Sequence, residues 1–226
     1  METVVLSLGG SVLAPDAPDA AYAKRLAAEL RDLAKSVRLY VVTGGGRTAR
    51  AYIEAGRALG APESFLDRLG IKVTRLNARL LMAALGGVDA DEMPHTIEEA
   101  VTVGKAGSLV VMGGTTPGHT TDAVAAELAQ SAAATRLVNA TSVDGVYTAD
   151  PAKDPAAKRL DRVSYIELAR LVGEAHTRAG PSIVFDPKAA RIVAEARIPV
   201  AVVNGRDLEA LRNAILGKPF RGTLVG

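Results

Sequence analysis

The chain contains no cysteine and no tryptophan, and only 4% of its 226 residues are aromatic. Without cysteine there is no disulfide framework, no thiolate nucleophile and no cysteine-ligated zinc site. Its three histidines lie far apart in sequence and form no HExxH pair. An excess of one charge is missing too: 27 Lys and Arg stand against 25 Asp and Glu, a formal net charge of +2. So little basic excess and so few aromatics give no foundation for a nucleic-acid surface. No apolar run approaches the roughly 20 residues of a membrane span, and the N-terminus carries no basic stretch followed by an apolar one. A cytosolic protein with neither nucleic-acid nor membrane partner is expected. What the chain does have is apolar residues, 48% of the total. That excludes disorder as the main state and, at this length, allows about 70% of the unfolded surface to be buried. At about 150 residues per domain, one large domain or two small lobes are expected.

Short apolar runs alternate with helical patterns. Thr3 to Leu8, Val37 to Thr43, Ser108 to Met112, Leu137 to Ala140 and Ile198 to Val203 read as strands buried on both faces, with Thr223 to Val225 as an edge. Asp19 caps a helix whose Tyr22, Leu26, Leu30 and Leu33 share a face. Another helix runs from Arg47 to Leu59. A further one starts near Pro62, with Phe65, Leu69, Val73, Leu76 and Leu80 as its predicted apolar stripe. Capping boxes begin at Thr96 and Ser164. Thr121 or Asp122 opens a helix through Leu128, Asp186-Pro187 opens another, and Asp207 to Leu216 is the last. Residues 141–162 read as a long loop or small hairpin, with the basic segment 151–162 as the nearest thing to a lobe boundary. The alternation predicts an α/β fold around a mainly parallel sheet.

Three strands end in glycines: Gly9-Gly10-Ser11, Gly44-Gly45-Gly46 and Gly113-Gly114. In parallel sheets ligands bind beyond the carboxyl ends of the strands, and glycines let backbone N–H groups approach an anion. One such pair is an ordinary turn; three at equivalent points imply a phosphorylated ligand. There is neither a GxxxxGK[ST] loop nor a GxGxxG at the first strand–helix turn, so P-loop and Rossmann sites are not supported. Arg47 and Arg50 follow the triple glycine, and either can bring a guanidinium to a phosphate. Thr115-Thr116-Pro117-Gly118-His119-Thr120-Thr121-Asp122 has more hydroxyls than a helix cap needs and reads as a grip on a polar group or phosphate. Asp144 to Pro151 reads either as a turn with a capped strand or as a segment whose Tyr147 can stack on a base.

These segments, in this order, resemble the amino acid kinase family, and within it the archaeal-type uridylate kinases. The likeness runs from about Val4 to Gly226. Its most specific pieces are Leu69-Gly70-Ile71 with Thr74-Arg75-Leu76-Asn77-Ala78, Pro117 to Ala123, and Asp144 to Pro151. The resemblance implies a three-layer αβα sandwich of carbamate-kinase-like fold and ATP-dependent phosphorylation of UMP to UDP. It implies Mg²⁺ arriving with ATP, a homohexamer, and one domain with an acceptor lobe (about 1–135) and an ATP lobe (about 136–226). Carried over by position, it assigns Gly9, Gly10, Ser11, Gly46 and Arg50 to the ATP phosphates, and Thr141, Ser142, Tyr147 and Asp150 to the adenosine. It assigns Gly45, Asp67, Thr115, Thr116, Pro117, Gly118, His119, Thr120 and Thr121 to UMP, with Asp67 on the ribose. Arg50 and Asp122 take the catalytic places, Asp122 orienting the phosphate-binding groups, and no side chain is assigned to a metal.

Two positions depart from the family pattern. Ser7 stands where many members have lysine, and Ser142 where asparagine is usual. No general base is evident, and none is needed. A monophosphate has a second pKa of about 6, so the attacking oxygen is already mostly ionised at neutral pH. Two alternatives compete with this reading: a sister kinase for acetylglutamate, carbamate or isopentenyl phosphate, and a non-catalytic nucleotide-binding or storage protein of the same fold.

Overall fold

β1 (Glu2–Leu8), β2 (Val37–Thr43), β3 (Leu109–Met112), β4 (Arg136–Thr141) and β6 (Val200–Asn204) run parallel as the body of one sheet. The computed structural model describes residues 1–87, 93–177 and 185–226, and only the backbone of 174–177. β7 (Thr223–Val225) joins β6 antiparallel, and β5 (Arg162–Val163) closes that edge, giving the order β3-β2-β1-β4-β6-β7-β5.

The central strands are apolar because both of their faces are covered. Successive side chains alternate between two cores. Val5 and Leu137 enter one, while Val4, Leu6 and Val138 enter the other. Against the first core lie α5 (Ile97–Ala106), α6 (Thr121–Ser131), α7 (Tyr165–Thr177) and α8 (Pro187–Glu195). Against the second lie α2 (Ala20–Leu33), α4 (Glu63–Ala84) and α9 (Leu208–Ile215). The result is the three-layer αβα sandwich expected. α3 (Gly46–Ala58) packs on α4, and Gly10–Leu13 forms a single-turn helix, α1, just after β1. Tyr22, Leu26, Leu30 and Leu33 of α2 are all buried, each contributing about 1.5–3 kcal/mol.

Most helix starts follow their caps. Asp19, Asp186 and Asp207 each accept a backbone N–H from the first turn, from Tyr22, Ala189 and Ala210. Pro187 occupies the first turn of α8, where no N–H is needed. The cap of α6 is Thr120, one residue before the expected start, and the helix continues to Ser131, past Leu128.

Of the two forms expected within 141–162 the small hairpin is found, with Tyr147 bridging Arg159 as its stem, and Arg162 already belongs to β5. Two expectations change. Gly10–Leu13 is helical where only a turn is expected. The stripe on α4 is rotated. Leu66, Val73, Ala78 and Leu81 are buried, whereas Phe65 is 47% and Leu76 62% exposed. The rotation has a chemical reason, because it buries Thr74 and Asn77 against the glycine loops.

Strand order reverses at β1. β2 and β3 lie to one side of it, β4 and β6 to the other. A crevice opens at such a switch point beyond the carboxyl ends of the strands, here between the loops after β1 and β4.

Candidate active site

The first two glycine loops are pressed together, backbone on backbone. A Cβ on Gly10 would sit 2.2 Å from Gly46 N, and one on Gly46 would sit 2.6 Å from Gly10 C. Gly46 also has φ +61, a conformation natural to glycine. Contact between the loops, beyond any ligand, therefore demands glycine here. α4 holds them from behind: Asn77 Nδ2 donates to Gly44 O across 2.8 Å, and Thr43 Oγ1 donates to Thr74 O across 2.8 Å. The third loop is also tied to α4. Gly114 N donates to Thr74 Oγ1 at 2.7 Å and Arg75 Nε donates to Gly114 O at 3.1 Å, while Gly113 is packed tightly on Thr74 and Arg75. Of that pair Gly114 lines a cavity.

Two cavities flank the paired loops. One, about 300 Å³, lies at the switch point and is lined by Gly9, Gly10, Ser11, Gly46, Arg50, Asp122, Thr141 and Ser142. The other, about 250 Å³, is lined by Asp67, Gly70, Ile71, Gly114 and the loop Thr116 to Thr120. Gly45, Gly46 and Thr121 belong to both, so the cavities share a wall. Of the residues assigned from sequence, Thr115 lines neither, although its carbonyl receives Arg75 Nη2 at 3.4 Å. Tyr147 and Asp150 also lie outside both. Asp150 Oδ1 accepts from Ala152 N at 3.0 Å and so closes its own turn.

The two arginines have different surroundings. Arg47 pairs with Asp16 at the exposed surface, whereas Arg50, one turn further along α3, lines the first cavity. Asp67 reaches from α4 to the second, where its Oδ2 accepts from Gly118 N across 2.8 Å. Gly118 has φ +81, so this carboxylate fixes a left-handed turn at the tip of the threonine-rich loop.

Asp122, in the first turn of α6, lines the first cavity. Ser7 Oγ donates to its Oδ1 across 2.8 Å. Burial pushes the carboxyl from 3.8 to about 6; the Ser7 hydroxyl pulls it down, the Asp186 carboxylate pushes it up, and the Asp186 N–H pulls it down again.

One cation at the site escapes the sequence reading. Lys188, at the start of α8, places Nζ 2.7 Å from Glu127 Oε1 and 2.8 Å from His119 Nε2. His119 Nδ1 lies 3.5 Å from Glu127 Oε2 and has no hydrogen-bond partner among the described residues. In sequence, Asp186-Pro187-Lys188 signals only a helix start; a position 69 residues from His119 carries no local sign of contact.

With the geometry established, the comparisons with known proteins agree. The amino acid kinase family matches residues 2–204. A uridylate kinase of Methanothrix thermoacetophila is 48% identical over 214 residues, covering 95% of each chain. The crystal structure of uridylate kinase from Archaeoglobus fulgidus superposes with a TM-score of 0.87 at 40% identity, covering all of both chains. That of UMP kinase from Bacillus anthracis has a TM-score of 0.82 at 22% identity, covering 100% of this chain and 96% of the other, a likeness of fold.

Proposed function

The chain belongs to the amino acid kinase family, and from that premise we propose that it transfers a phosphoryl group from ATP to UMP, giving UDP. The observation that carries this reading is the common wall of the two cavities at Gly45, Gly46 and Thr121. Two anionic ligands seated on either side meet there, as in-line transfer between phosphates requires. Uridylate kinases similar over nearly the whole chain supply the acceptor's identity.

ATP takes the cavity at the switch point, its phosphates against the amides of Gly9, Gly10 and Gly46 and the guanidinium of Arg50. Thr141 and Ser142 begin the adenosine side, and Tyr147 and Asp150 complete it as the hairpin closes over the base. UMP takes the other cavity, its ribose on Asp67 and its phosphate on the loop Thr115 to Thr121. Its phosphate is mostly dianionic at neutral pH, so positioning and charge neutralisation suffice without a general base. Asp122 orients the donors around the transferring group. Mg²⁺ takes oxygen ligands, and the hydroxyl residues Ser11 and Ser142 line the ATP cavity and fit such an ion. When bound with ATP, it neutralises phosphate charge. A cytoplasmic homohexamer is part of the same reading.

The test is ADP formation with UMP, CMP, acetylglutamate, carbamate and isopentenyl phosphate as acceptors. UMP should give UDP at the highest kcat/KM. Turnover with one of the last three and none with UMP would replace the assignment by a sister kinase, and no turnover with any acceptor would favour a binding protein.

A further inference from the structure

Arg75 is the middle cation of a row on α4, with Lys72 one turn before it and Arg79 one turn after. The three line a cavity of about 340 Å³ that has no carboxylate in its wall. Arg75 is half-buried and has no acidic partner among the described residues. Its guanidinium is occupied by backbone carbonyls. Nε donates to Gly114 O at 3.1 Å, and Nη2 donates to Thr115 O at 3.4 Å and to His95 O at 3.5 Å.

Holding those carbonyls orients the other side of the same peptides. In a planar trans peptide the N–H points away from the C=O. With Gly114 O and Thr115 O both on one guanidinium, the N–H groups of Thr115 and Thr116 are turned away from it, side by side. Successive N–H groups that face one way form a backbone nest, a concavity that takes an anionic oxygen. Neither of these amides has a hydrogen-bond partner among the described residues. The N–H of Gly114 is already used, donating to Thr74 Oγ1 at 2.7 Å, so the free pair begins at Thr115. Gly114 and Thr116, at the two ends of this pair of peptides, both line the cavity assigned above to UMP.

We infer that Arg75 is a positioning residue for the acceptor: it sets the direction of the Thr115 and Thr116 amides, and those amides donate to UMP. The inference rests on the functional reading above and adds a determinant from outside the site. Arg75 lines neither glycine-loop cavity and acts on UMP only through the loop. Lysine cannot take its place in full, because an ammonium is a point charge and does not hold two carbonyls in one plane as the guanidinium fork does.

The test is calorimetric titration of UMP, and separately of a non-hydrolysable ATP analogue, into the native chain, R75M and R75K, with a thermal melt of each. R75M should bind UMP about tenfold more weakly than the native chain, the scale of one or two lost hydrogen bonds. R75K should fall between them, and the ATP analogue should bind all three alike. Steady-state kinetics should show the same split, with the KM for UMP raised and kcat little changed. If R75M melts too low to titrate, R75K, which keeps the stem and the charge, carries the test by the same comparison. Native UMP affinity in R75M, full recovery in R75K, or equal losses for UMP and the ATP analogue would each overturn the positioning role. A native chain that binds the ATP analogue and not UMP would overturn the functional reading, and this inference with it.

Discussion

The Ser7 hydroxyl donates to Asp122 Oδ1 across 2.8 Å, joining two residues 115 positions apart. Ser7 ends up beside the half-buried Asp122 carboxylate because it lies near the carboxyl end of β1, under the Gly9-Gly10 loop. A neutral donor here relieves part of the cost of burying Asp122 without cancelling its charge. The carboxyl therefore stays elevated, whereas an ammonium at the same place would depress it.

That elevation has a defined sign. Between pH 3.8 and about 6 the folded chain binds the Asp122 proton and the unfolded chain does not, so stability falls as pH rises through this window and is flat above it. Asp122→Asn should remove the slope and stabilise the protein at pH 7.5 by at most about 3 kcal/mol, while lowering turnover by about a hundredfold, the scale of a lost electrostatic contributor. Ser7→Ala, which removes a downward pull, should move the acid limb of the pH–rate profile upward. Urea melts at pH 5 and 7.5 and pH profiles of kcat check both. An Asp122→Asn variant less stable at pH 7.5 than the native chain contradicts the argument.

Arg50 and Arg47 should behave as opposites. Arg50→Ala should lower kcat by about a hundredfold, and Arg50→Lys should recover only part, because a point charge does not reproduce the guanidinium fork. Arg47→Ala loses a surface pair worth at most about 1 kcal/mol and should leave kcat within about twofold. Steady-state turnover at saturating ATP, UMP and Mg²⁺ separates them; equal losses would place both on the phosphate.

Sequence reading succeeds wherever one residue type has one physical use. The strands are legible because a doubly covered strand must be apolar along its length, as Val37 to Thr43 is. Helix starts are legible because Asp19, Asp186 and Asp207 have a local N–H to satisfy. The reading fails where use is decided at a distance. Phe65 and Leu76 fit a stripe on α4, but Thr74 and Asn77 are the residues buried, since their polar groups are needed by loops some 30–40 positions away. The glycine loops were legible as a place where the strand ends open onto a cavity. Their contact at Gly10 and Gly46, which makes them the shared wall, was not, because it depends on β1 and β2 being neighbours.

Asp67 has one task visible in the structure and a second in the proposed function, and substitution can divide them. It holds Gly118 N in the free protein and is assigned to the ribose of UMP. Asp67→Ala should raise the KM for UMP about tenfold to a hundredfold, with little change in that for ATP, as expected for a lost hydrogen bond to a charged group of about 1.5–3 kcal/mol. Asp67→Asn keeps an oxygen for Gly118 N but loses the charge. An intermediate KM for UMP in Asp67→Asn supports both tasks; a KM as high as that of Asp67→Ala assigns the effect to the charge facing the ribose. Equal shifts for ATP and UMP in Asp67→Ala would make the residue structural only.

Lys188 pins the threonine-rich loop from the side opposite Asp67. It bridges Glu127 on α6 and His119 on the loop, so the loop is held by α8 as well as by Asp67 of α4. Lys188→Met removes the cation and leaves Glu127 partly buried without it, which costs more than the pair itself contributes. The variant should melt several degrees lower and show a KM for UMP raised about tenfold, the scale of one charge-assisted hydrogen bond. Adding Glu127→Gln removes the uncompensated charge, so the double variant should regain most of the lost melting temperature. It should not regain UMP affinity, because His119 still lacks its anchor. Thermal melts and KM values for both substrates decide the matter. If stability and UMP affinity return together in the double variant, Lys188 neutralises Glu127 and does nothing for the loop.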